Sequence, residues 1–286
     1  MRYGTRATLS AVAIAAGVAV ALAATPSPSN SVGSVPGEGS EARARTVSCG
    51  QTLTESTILE NDLTNCPGDG LVAGADGITI DLDGHTIDGQ TFPTGNGIEI
   101  SGFDQVVVKN GTITGFDVGV SIVFGADQTR VQDLRISGTA IGNGIEAQAQ
   151  RAALTGNTVF GRAIGIVAGG TATAAVGNTV KDNDTGILVG GSRAAVSRNT
   201  VLSNAGIGIQ AVAVAAAITG NVTDANGEDG IDVTGANGAT LERNSASFNT
   251  RLAIDADGDV IDRAGNTATG NGSLHQCENV RCTETR

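Results

Sequence analysis

Hydrophobic and polar residues alternate along short segments of this chain. In Ile187–Val189 and Ile231–Val233 the two outer residues are apolar, whereas the residue between them is Leu188 in the first segment and Asp232 in the second. An alternation with period two indicates a β-strand that buries one face and exposes the other. The sequence therefore predicts short, half-buried strands.

These segments belong to an internal repeat. Each copy opens with Gly followed by Ile, and the copies at Gly144, Gly165, Gly186 and Gly208 lie 21, 21 and 22 residues apart. An Asn follows each Gly 13 residues later, and weaker copies extend the series to about nine units between residues 70 and 271. A period in the twenties indicates the stacked coils of a solenoid.

Each unit holds three short strands. Besides the segment after Gly, a second strand precedes the Asn, as in residues 194–196, and a third follows it, as in residues 200–201. The unit is too short for a βαβ motif and lacks the leucine-rich-repeat frame. The predicted fold is all-β: a right-handed single-stranded parallel β-helix of about nine coils, with three parallel sheets along its axis.

Asparagine recurs at two positions in each coil. Asn tolerates the left-handed backbone conformation of tight corners, and stacked Asn side chains can form hydrogen bonds from coil to coil. The first predicted ladder consists of Asn157, Asn178, Asn199, Asn221 and Asn244. The second consists of Asn183, Asn204, Asn226, Asn249 and Asn271.

Two coils carry extra residues. The spacing between successive repeat glycines rises to 27 after Gly70 and to 25 after Gly119. The insertions fall near Gln90–Gly95 and Ser137–Asn143, and insertions in a solenoid form loops.

The first 46 residues differ from the repeats. Residues 1–23 have the pattern of a secretory signal peptide, because Arg2 and Arg6 precede an apolar run and Ala21–Ala23 fits a small-x-small cleavage site. An uncleaved membrane anchor is the alternative, although the run is short and rich in Ala. Residues 24–46 are rich in Pro, Ser and Gly and are expected to form a disordered linker. We therefore expect a secreted protein that is cleaved near Ala23.

The four Cys residues lie at the two ends of the repeat array. In an exported chain they predict the disulfides Cys49–Cys66 and Cys277–Cys282, although four Cys allow three pairings and a zinc site is the rival interpretation. Residues 47–69 are then an N-terminal cap that covers the open edge of the first coil. Residues 70–272 form the β-helix, and residues 273–286 form a C-terminal disulfide tail.

The chain is strongly acidic, with a formal net charge of −12. Loss of Arg2 and Arg6 with the signal peptide would leave 15 basic against 29 acidic residues, a net charge of −14. This charge disfavours nucleic acids, anionic membranes and uronic-acid polysaccharides that no cation bridges. We expect a monomer.

The repeat Gly-Ile-x-Val…Asn-Thr-Val and the opening segment DLDGHTIDG at residues 81–89 resemble the secreted right-handed parallel β-helix repeat proteins of the pectate-lyase-like superfamily. The resemblance covers residues 49–271 and implies the β-helix fold. It also implies that any catalytic residues stand on the outer face of one sheet, in neighbouring coils. It selects no chemistry, because the superfamily includes lyases, glycosidases, epimerases, adhesins and structural proteins.

The outward position after each Gly-Ile pair is acidic towards both ends of the array. At the N-terminal end the candidate catalytic carboxylates are Glu99 and Glu146. A lyase also needs a cation near its base. The basic residues expected within reach are Lys109, Arg130 and Arg135. A scatter of surface charges is the alternative interpretation.

At the C-terminal end the candidates are Asp232, Asp255, Asp257 and Asp259. Asp232 and Asp255 are expected on adjacent coils, where a bound calcium ion would relieve the repulsion between stacked carboxylates. The segment 255–259 resembles the start of a calcium loop but lacks the later Gly and Glu of an EF-hand. A solvated acidic face and a carboxylate pair for glycoside hydrolysis are the alternatives.

Other features argue against the enzymes of the superfamily. The polygalacturonase motifs are absent, and six Phe residues without any Trp leave no obvious platform for sugar stacking. Copper, which some proteins of the family bind, needs His, Met or free Cys, and the mature chain offers only His85 and His275. We therefore predict a secreted binding or surface-associated scaffold for extracellular polysaccharide that needs no cofactor and binds no copper. The alternative is a polysaccharide lyase or glycoside hydrolase that acts on the outer face.

Overall fold

The computed structural model describes residues 42–90, 95–138 and 141–285, and these residues form thirty β-strands. None of the described residues lies in a helix long and apolar enough to cross a membrane. Ten strands, one from each coil, form a parallel sheet. They are β2 (Gln51–Leu53), β5 (Leu71–Ala73), β8 (Asn96–Ile100), β10 (Val118–Ile122), β12 (Asn143–Ala147), β15 (Ile164–Ala168), β18 (Thr185–Val189), β21 (Ile209–Ala211), β24 (Ile231–Val233) and β27 (Ile254–Ala256).

The other twenty strands form a second parallel sheet with two strands from most coils. They are β1 (Arg43–Arg45), β3 (Thr57–Leu59), β4 (Leu63–Cys66), β6 (Thr79–Asp81), β7 (Thr86–Gly89), β9 (Val107–Thr114), β11 (Arg130–Ser137), β13 (Ala153–Thr155), β14 (Thr158–Phe160), β16 (Ala174–Val176), β17 (Thr179–Lys181), β19 (Ala195–Ser197), β20 (Thr200–Leu202), β22 (Ala217–Thr219), β23 (Val222–Asp224), β25 (Thr240–Glu242), β26 (Ser245–Ser247), β28 (Ile261–Asp262), β29 (Asn266–Thr269) and β30 (Cys282–Thr285).

The predicted right-handed parallel β-helix is confirmed, with three strands in a typical coil. The number of sheets differs from the prediction, because the described residues form two sheets instead of three. The second sheet is continuous since β9 and β11 run through a corner without a break. As a result, β9 pairs with both β6 and β7, and β11 pairs with both β13 and β14.

Aliphatic side chains fill the interior in columns. Ile145, Ile166, Ile187, Ile209 and Ile231 lie in register on successive strands of the ten-stranded sheet and are fully buried. Burying such a side chain stabilises the fold by about 1.5–3 kcal/mol. The alternation in the sequence arises because each strand contributes residues to these columns on one side and faces solvent on the other.

Buried Asn side chains link successive coils along the first ladder. The Oδ1 atom of Asn178 accepts hydrogen bonds from the backbone N and the Nδ2 of Asn157, at 2.9 and 3.0 Å. Its own Nδ2 donates to the carbonyl of Leu154 and to Oδ1 of Asn199, both at 2.9 Å. The same pattern continues down the helix to Asn266. All the polar atoms of these amides therefore have partners inside an apolar interior.

We expected these Asn residues to adopt the left-handed backbone conformation at the corners, and this expectation was wrong. The left-handed conformation is adopted by the residue before each Asn, for example Gly177 with φ 65° and Arg198 with φ 54°. The Asn residues are required for their amide hydrogen bonds and not for their tolerance of positive φ.

A second ladder runs parallel to the first. It links Asn183, Asn204, Asn226, Asn249 and Asn271 by the same pair of bonds to each Oδ1 atom and ends on Oε1 of Gln276. On its N-terminal side the residue that donates its backbone N–H to Asn183 Oδ1 is Arg162, at 3.0 Å.

The ends of the β-helix differ from the boundaries expected. Residues 47–69, expected to be a cap, form a complete first coil whose strands β2, β3 and β4 pair with β5, β6 and β7. Leu53, Leu59 and Leu63 bury the same face as later coils do, so the described part of the chain forms ten coils, against the prediction of about nine.

Strand β1 covers β3, although it lies inside the segment 24–46 that was expected to be disordered. The remainder of that linker, residues 24–41, and the signal peptide expected at 1–23 lie outside the described residues.

The C-terminal tail continues the stack. Strand β30 pairs with β29, and the backbone of Cys277 forms an isolated parallel β-bridge with that of Ile254. The structure contains disulfides Cys49–Cys66 and Cys277–Cys282, with Cα–Cα distances of 5.3 and 6.2 Å. The Cys thiols are therefore not available as zinc ligands.

Replacing Asn199 by Ala tests the first ladder. The substitution removes the acceptor of the Asn178 backbone N and Nδ2, which lie in a dry interior. We expect a loss on the order of 3 kcal/mol in the free energy of unfolding, measured by chemical denaturation. Thr200→Ala, on the outer side of β20, is the control and should change stability by less than about 0.5 kcal/mol. Equal effects of the two variants would contradict a ladder role.

Candidate functional site

The outer face of the ten-stranded sheet carries one aligned residue from each coil. This column consists of Thr52, Val72, Glu99, Ser121, Glu146, Val167, Leu188, Gln210, Asp232 and Asp255. Its acidic residues form two groups, which are separated by three coils that carry no charge in this column.

In the N-terminal group, Glu99 and Glu146 lie on alternate strands with Ser121 between them. Neighbouring strands are about 4.8 Å apart, so the two Glu backbones are separated by about 10 Å along the axis. Ser121 is only 9% exposed. The two carboxylates thus flank a nearly buried hydroxyl.

Each of these carboxylates has an Asn partner on its own strand. Asn96 Nδ2 donates to Glu99 Oε2 at 2.7 Å, and Asn143 Nδ2 donates to Glu146 Oε2 at 2.9 Å. The sequence signal, which our prediction did not use, is the tetrapeptide Asn-Gly-Ile-Glu at both 96–99 and 143–146. The site therefore contains the same amide–carboxylate pair twice.

One further amide joins the second pair, because Gln148 Nε2 donates to Glu146 Oε1 at 3.2 Å. We refer to this set of side chains as the carboxylate strip. It consists of Asn96, Glu99, Ser121, Asn143, Glu146 and Gln148.

Burial raises the pKa of Glu99 above its ordinary value. The nearby Asp69 and Glu146 carboxylates raise this pKa further, whereas hydrogen bonds from Ser121 and Asn96 lower it. Glu99 consequently keeps its proton to a higher pH than an exposed glutamic acid.

Two exposed apolar residues lie next along the chain to strands that carry the carboxylate strip. Phe124, which is 78% exposed, follows the end of the central strand β10. Ile141, which is 66% exposed, precedes β12 within the predicted insertion. Phe124 offers the aromatic surface that the sequence analysis did not find, because its exposure depends on the direction of a loop.

The basic residues expected near Glu99 and Glu146 lie on the other sheet. Lys109, in β9, forms an ion pair with Asp81 at 3.1 Å. Arg135, in β11, lies over the ring of Phe160 with its Cζ 4.5 Å from the centroid. Arg130 is also in β11. The expected grouping of these cations with the two carboxylates was wrong, since strands from different sheets face in different directions.

At the C-terminal end, Asp232 and Asp255 are aligned as predicted from the spacing. Burial raises the pKa of Asp255, and the carboxylates of Asp229, Asp232 and Glu278 raise it further, with partial relief from Arg251.

The acidic side chains at this end have partners in a turn. Asp232 Oδ1 accepts from the N and Oγ1 of Thr234, and Asp257 Oδ2 accepts from the N of Gly235. Asp259 is exposed in the turn after β27. Within residues 42–90, 95–138 and 141–285, no three His, Cys, Asp or Glu side chains are grouped to hold a metal ion. Calcium binding by these four Asp residues stays a prediction.

Glu99→Gln tests the buried charge. Because the pKa of Glu99 is raised in the folded protein, the wild type loses stability as the pH rises through that pKa. The variant should therefore have a higher Tm than the wild type at neutral pH and no such advantage well below pH 4.5, the ordinary value for Glu. Thermal scans over pH check this, with Glu60→Gln at an exposed position as the control. A Tm difference that does not vary with pH would contradict the raised pKa.

Comparison with solved structures shows the fold in several proteins of low sequence identity. A mutant of the periplasmic alginate epimerase AlgG is 12% identical, with a TM-score of 0.54 over 85% of this chain and 78% of that one. DFA-IIIase from Arthrobacter chlorophenolicus A6, in complex with GF2, is also 12% identical, with a TM-score of 0.54 over 78% of this chain and 69% of that one.

A third structure is the tailspike protein of E. coli bacteriophage HK620, in a mutant form in complex with a pentasaccharide. It is 11% identical, with a TM-score of 0.51 over 80% of this chain. The chain spans only 56% of the tailspike's length. Comparison with curated protein sequences gives no match.

The family model described as "Right handed beta helix region" matches residues 47–201 and 185–281. These two matches overlap and together span most of the chain, including all ten strands of the sheet that carries the carboxylate strip. The chain therefore belongs to the right-handed β-helix family.

Proposed function

We propose that the protein is an extracellular binder of polysaccharide and that the carboxylate strip is its binding site. The observation that carries the proposal is the repeated Asn–Glu pair on alternate coils. The exposed ring of Phe124, two residues beyond the end of the central strand β10, offers an aromatic surface in addition to these polar groups.

The chemistry of the strip suits a sugar. A carboxylate accepts hydrogen bonds from sugar hydroxyls, an amide can both donate and accept, and an aromatic ring packs against the apolar face of a sugar ring. Because the chain carries a net charge of −12 and the strip contains two carboxylates, the favoured ligand is neutral. Uronic-acid chains would be repelled.

The spacing of the strip favours an extended chain that runs along the helix axis. The two Asn–Glu pairs are about 10 Å apart, two strand spacings. An extended β-linked polysaccharide presents the same edge of every second sugar at about this interval. Each Asn–Glu pair would then contact equivalent hydroxyls on alternate sugars, and Ser121 would lie under the sugar between them.

The structural neighbours support this proposal through their fold only. Their names refer to saccharides: one is an alginate epimerase, and another was solved with a pentasaccharide. The two disulfides support an oxidising, extracytoplasmic compartment.

Glycoside hydrolysis is the second candidate function. A protonated Glu99 would donate a proton to the glycosidic oxygen as the bond to the anomeric carbon breaks. Glu146 would take a proton from the water that attacks that carbon from the opposite face. Inverting glycosidases place their two carboxyl groups about 6.5–9.5 Å apart, and side chains from alternate coils can approach this separation. The raised pKa of Glu99 is the observation that favours this role.

Binding should depend equally on the two Asn–Glu pairs. In a calorimetric panel of neutral β-1,4-linked hexasaccharides (cello-, xylo- and manno-oligosaccharides), we expect at least one to bind. Asn96→Ala and Asn143→Ala should each weaken that binding about tenfold, the effect of about 1.4 kcal/mol. Asp232→Asn is the control, because it alters the same column four coils beyond Glu146. Equal weakening by Asp232→Asn, or binding of polygalacturonate alone, would contradict the proposed site.

Hydrolysis makes a separate prediction. If the strip is catalytic, Glu99→Gln should abolish release of reducing ends but retain oligosaccharide binding, because Gln keeps the shape and lacks the acidic proton. NMR of the first product should show inversion at the anomeric carbon. Wild-type binding without any turnover would reject hydrolysis and leave the binding function.

A further inference from the structure

Arg162 is the largest fully buried side chain of the described residues and is 1% exposed. It lies in the corner just before β15. Burial lowers the pKa of its guanidinium, and the nearby Asp117 carboxylate partly offsets this effect. Its Nε and Nη1 atoms have no hydrogen-bond partner among the described residues. A buried cation with unpaired N–H groups is costly, so its presence requires a reason.

The Asn ladders show that the fold alone does not require Arg at this position. From the coil that contains Asn178 onward, each residue of the first ladder is followed five positions later by a residue of the second ladder, as Asn178 is by Asn183. The same count from Asn157 reaches Arg162, whose backbone N bonds to Asn183 Oδ1 in the ladder pattern. Arg162 immediately precedes β15, the strand stacked on β12, and β12 carries the second Asn–Glu pair.

The longer Arg side chain reaches residues that Asn would not reach. Its Nη2 donates to the carbonyl of Asn143 at 2.8 Å and also to the carbonyl of Asp117. The guanidinium thus joins three consecutive coils at the corners that lead into β10, β12 and β15. These contacts lie around the insertion before β12, where the regular ladder contacts are interrupted.

The residue that Arg162 holds is the one that contacts Glu146. The backbone carbonyl of Asn143 accepts the hydrogen bond from Arg162, and the side chain of Asn143 donates to Glu146 Oε2 at 2.9 Å. The equivalent pair, Asn96 and Glu99, lies two coils away and has no contact with Arg162 in the described structure.

We propose that Arg162 is a positioning residue of the carboxylate strip, which acts through Asn143 to fix the carboxylate of Glu146. This inference rests on the proposed saccharide function for its biological purpose, but the positioning itself can be measured without any ligand. A saccharide site that binds two sugars at a fixed interval needs both Asn–Glu pairs at fixed positions. Arg162 would hold the pair of Asn143 and Glu146, which follows an insertion, in its position.

The test is NMR of the side-chain amides of Asn143 and Asn96 in the ligand-free protein. Arg162→Asn restores the ladder residue, which could donate to the carbonyl of Ile136 as Asn183 does to that of Val159. We expect this variant to fold, with the Asn143 amide resonances shifted and their exchange with water faster by about tenfold, as for the loss of one hydrogen bond to a fixed group. The Asn96 amide should not change, which makes it the control within the same molecule. Asn143→Ala and Asn96→Ala assign the resonances.

A second variant, Gly138→Ala, keeps the proposal testable if Arg162→Asn fails to fold. A Cβ at position 138 would lie 1.8 Å from Arg162 Nη1, so Gly138→Ala displaces the guanidinium and keeps its charge. It should change the Asn143 amide in the same direction as Arg162→Asn, and Arg162→Lys should restore part of the wild-type signal. An Asn143 amide unchanged in both Arg162→Asn and Gly138→Ala would overturn the proposal. Equal changes at Asn96 and Asn143, with a fall in Tm, would show a general structural role and would also overturn it.

A binding measurement distinguishes failure of this proposal from failure of the proposed function. With a hexasaccharide that binds the wild type, Arg162→Asn should weaken binding about tenfold, and the double variant with Asn143→Ala should be no weaker than Asn143→Ala alone. Additive losses would overturn the action through Asn143. If no saccharide binds but the Asn143 amide responds as expected, the proposed function fails and the positioning role stands.

Discussion

The buried Asn amides are the constraint on which the rest of this β-helix depends. Each amide oxygen accepts two hydrogen bonds from the Asn of one neighbouring coil, and each nitrogen donates to a backbone carbonyl and to the next Asn. An amide inside an apolar core can meet these requirements only if successive coils stay in register. The ladders therefore fix each coil over the next by one strand spacing.

This register determines how chemistry is arranged on the outer surface. Equivalent residues of successive coils form straight columns. Two functional side chains of the same column are therefore separated along the helix axis by a whole multiple of the strand spacing. In the regular coils the column after each Gly-Ile pair carries Val167, Leu188 and Gln210, which offer little chemistry. The carboxylate strip lies instead on the coils around the two insertions. There the ladder position is occupied by Arg162, and a long cationic side chain replaces the short amide.

Much of the fold could be predicted from the sequence, because the period of the repeat gives the length and the number of the coils. The Gly-Ile pairs and their weaker copies located about nine coils, and the alternation of apolar residues gave the buried face. The first coil was missed because Gly50 is followed by Gln51, so the pair that marks a coil is absent there. The role of Asn in positive-φ corners was misjudged, since sequence shows that a residue recurs but not which of its two properties the structure uses.

The site was only partly predictable for similar reasons. Glu99 and Glu146 were found from their column, whereas their Asn partners and Phe124 depend on side-chain and loop directions that spacing does not specify. Lys109 and Arg135 were expected near the carboxylates because they lie in neighbouring coils. They stand on the other sheet, however, and the corner between the two sheets turns them away from the carboxylates. The tetrapeptide Asn-Gly-Ile-Glu, repeated on alternate coils, was the available signal.

The central claim is that two equivalent Asn–Glu pairs, held two coils apart, bind alternate sugars of one extended chain. A crystal structure of the Glu99→Gln variant with a bound hexasaccharide tests it most directly. The expected result is a chain parallel to the helix axis, with alternate sugars hydrogen-bonded to the Asn96 and Asn143 pairs and a sugar face against Phe124. A saccharide bound across the axis, or bound at Asp232 and Asp255, would contradict the claim.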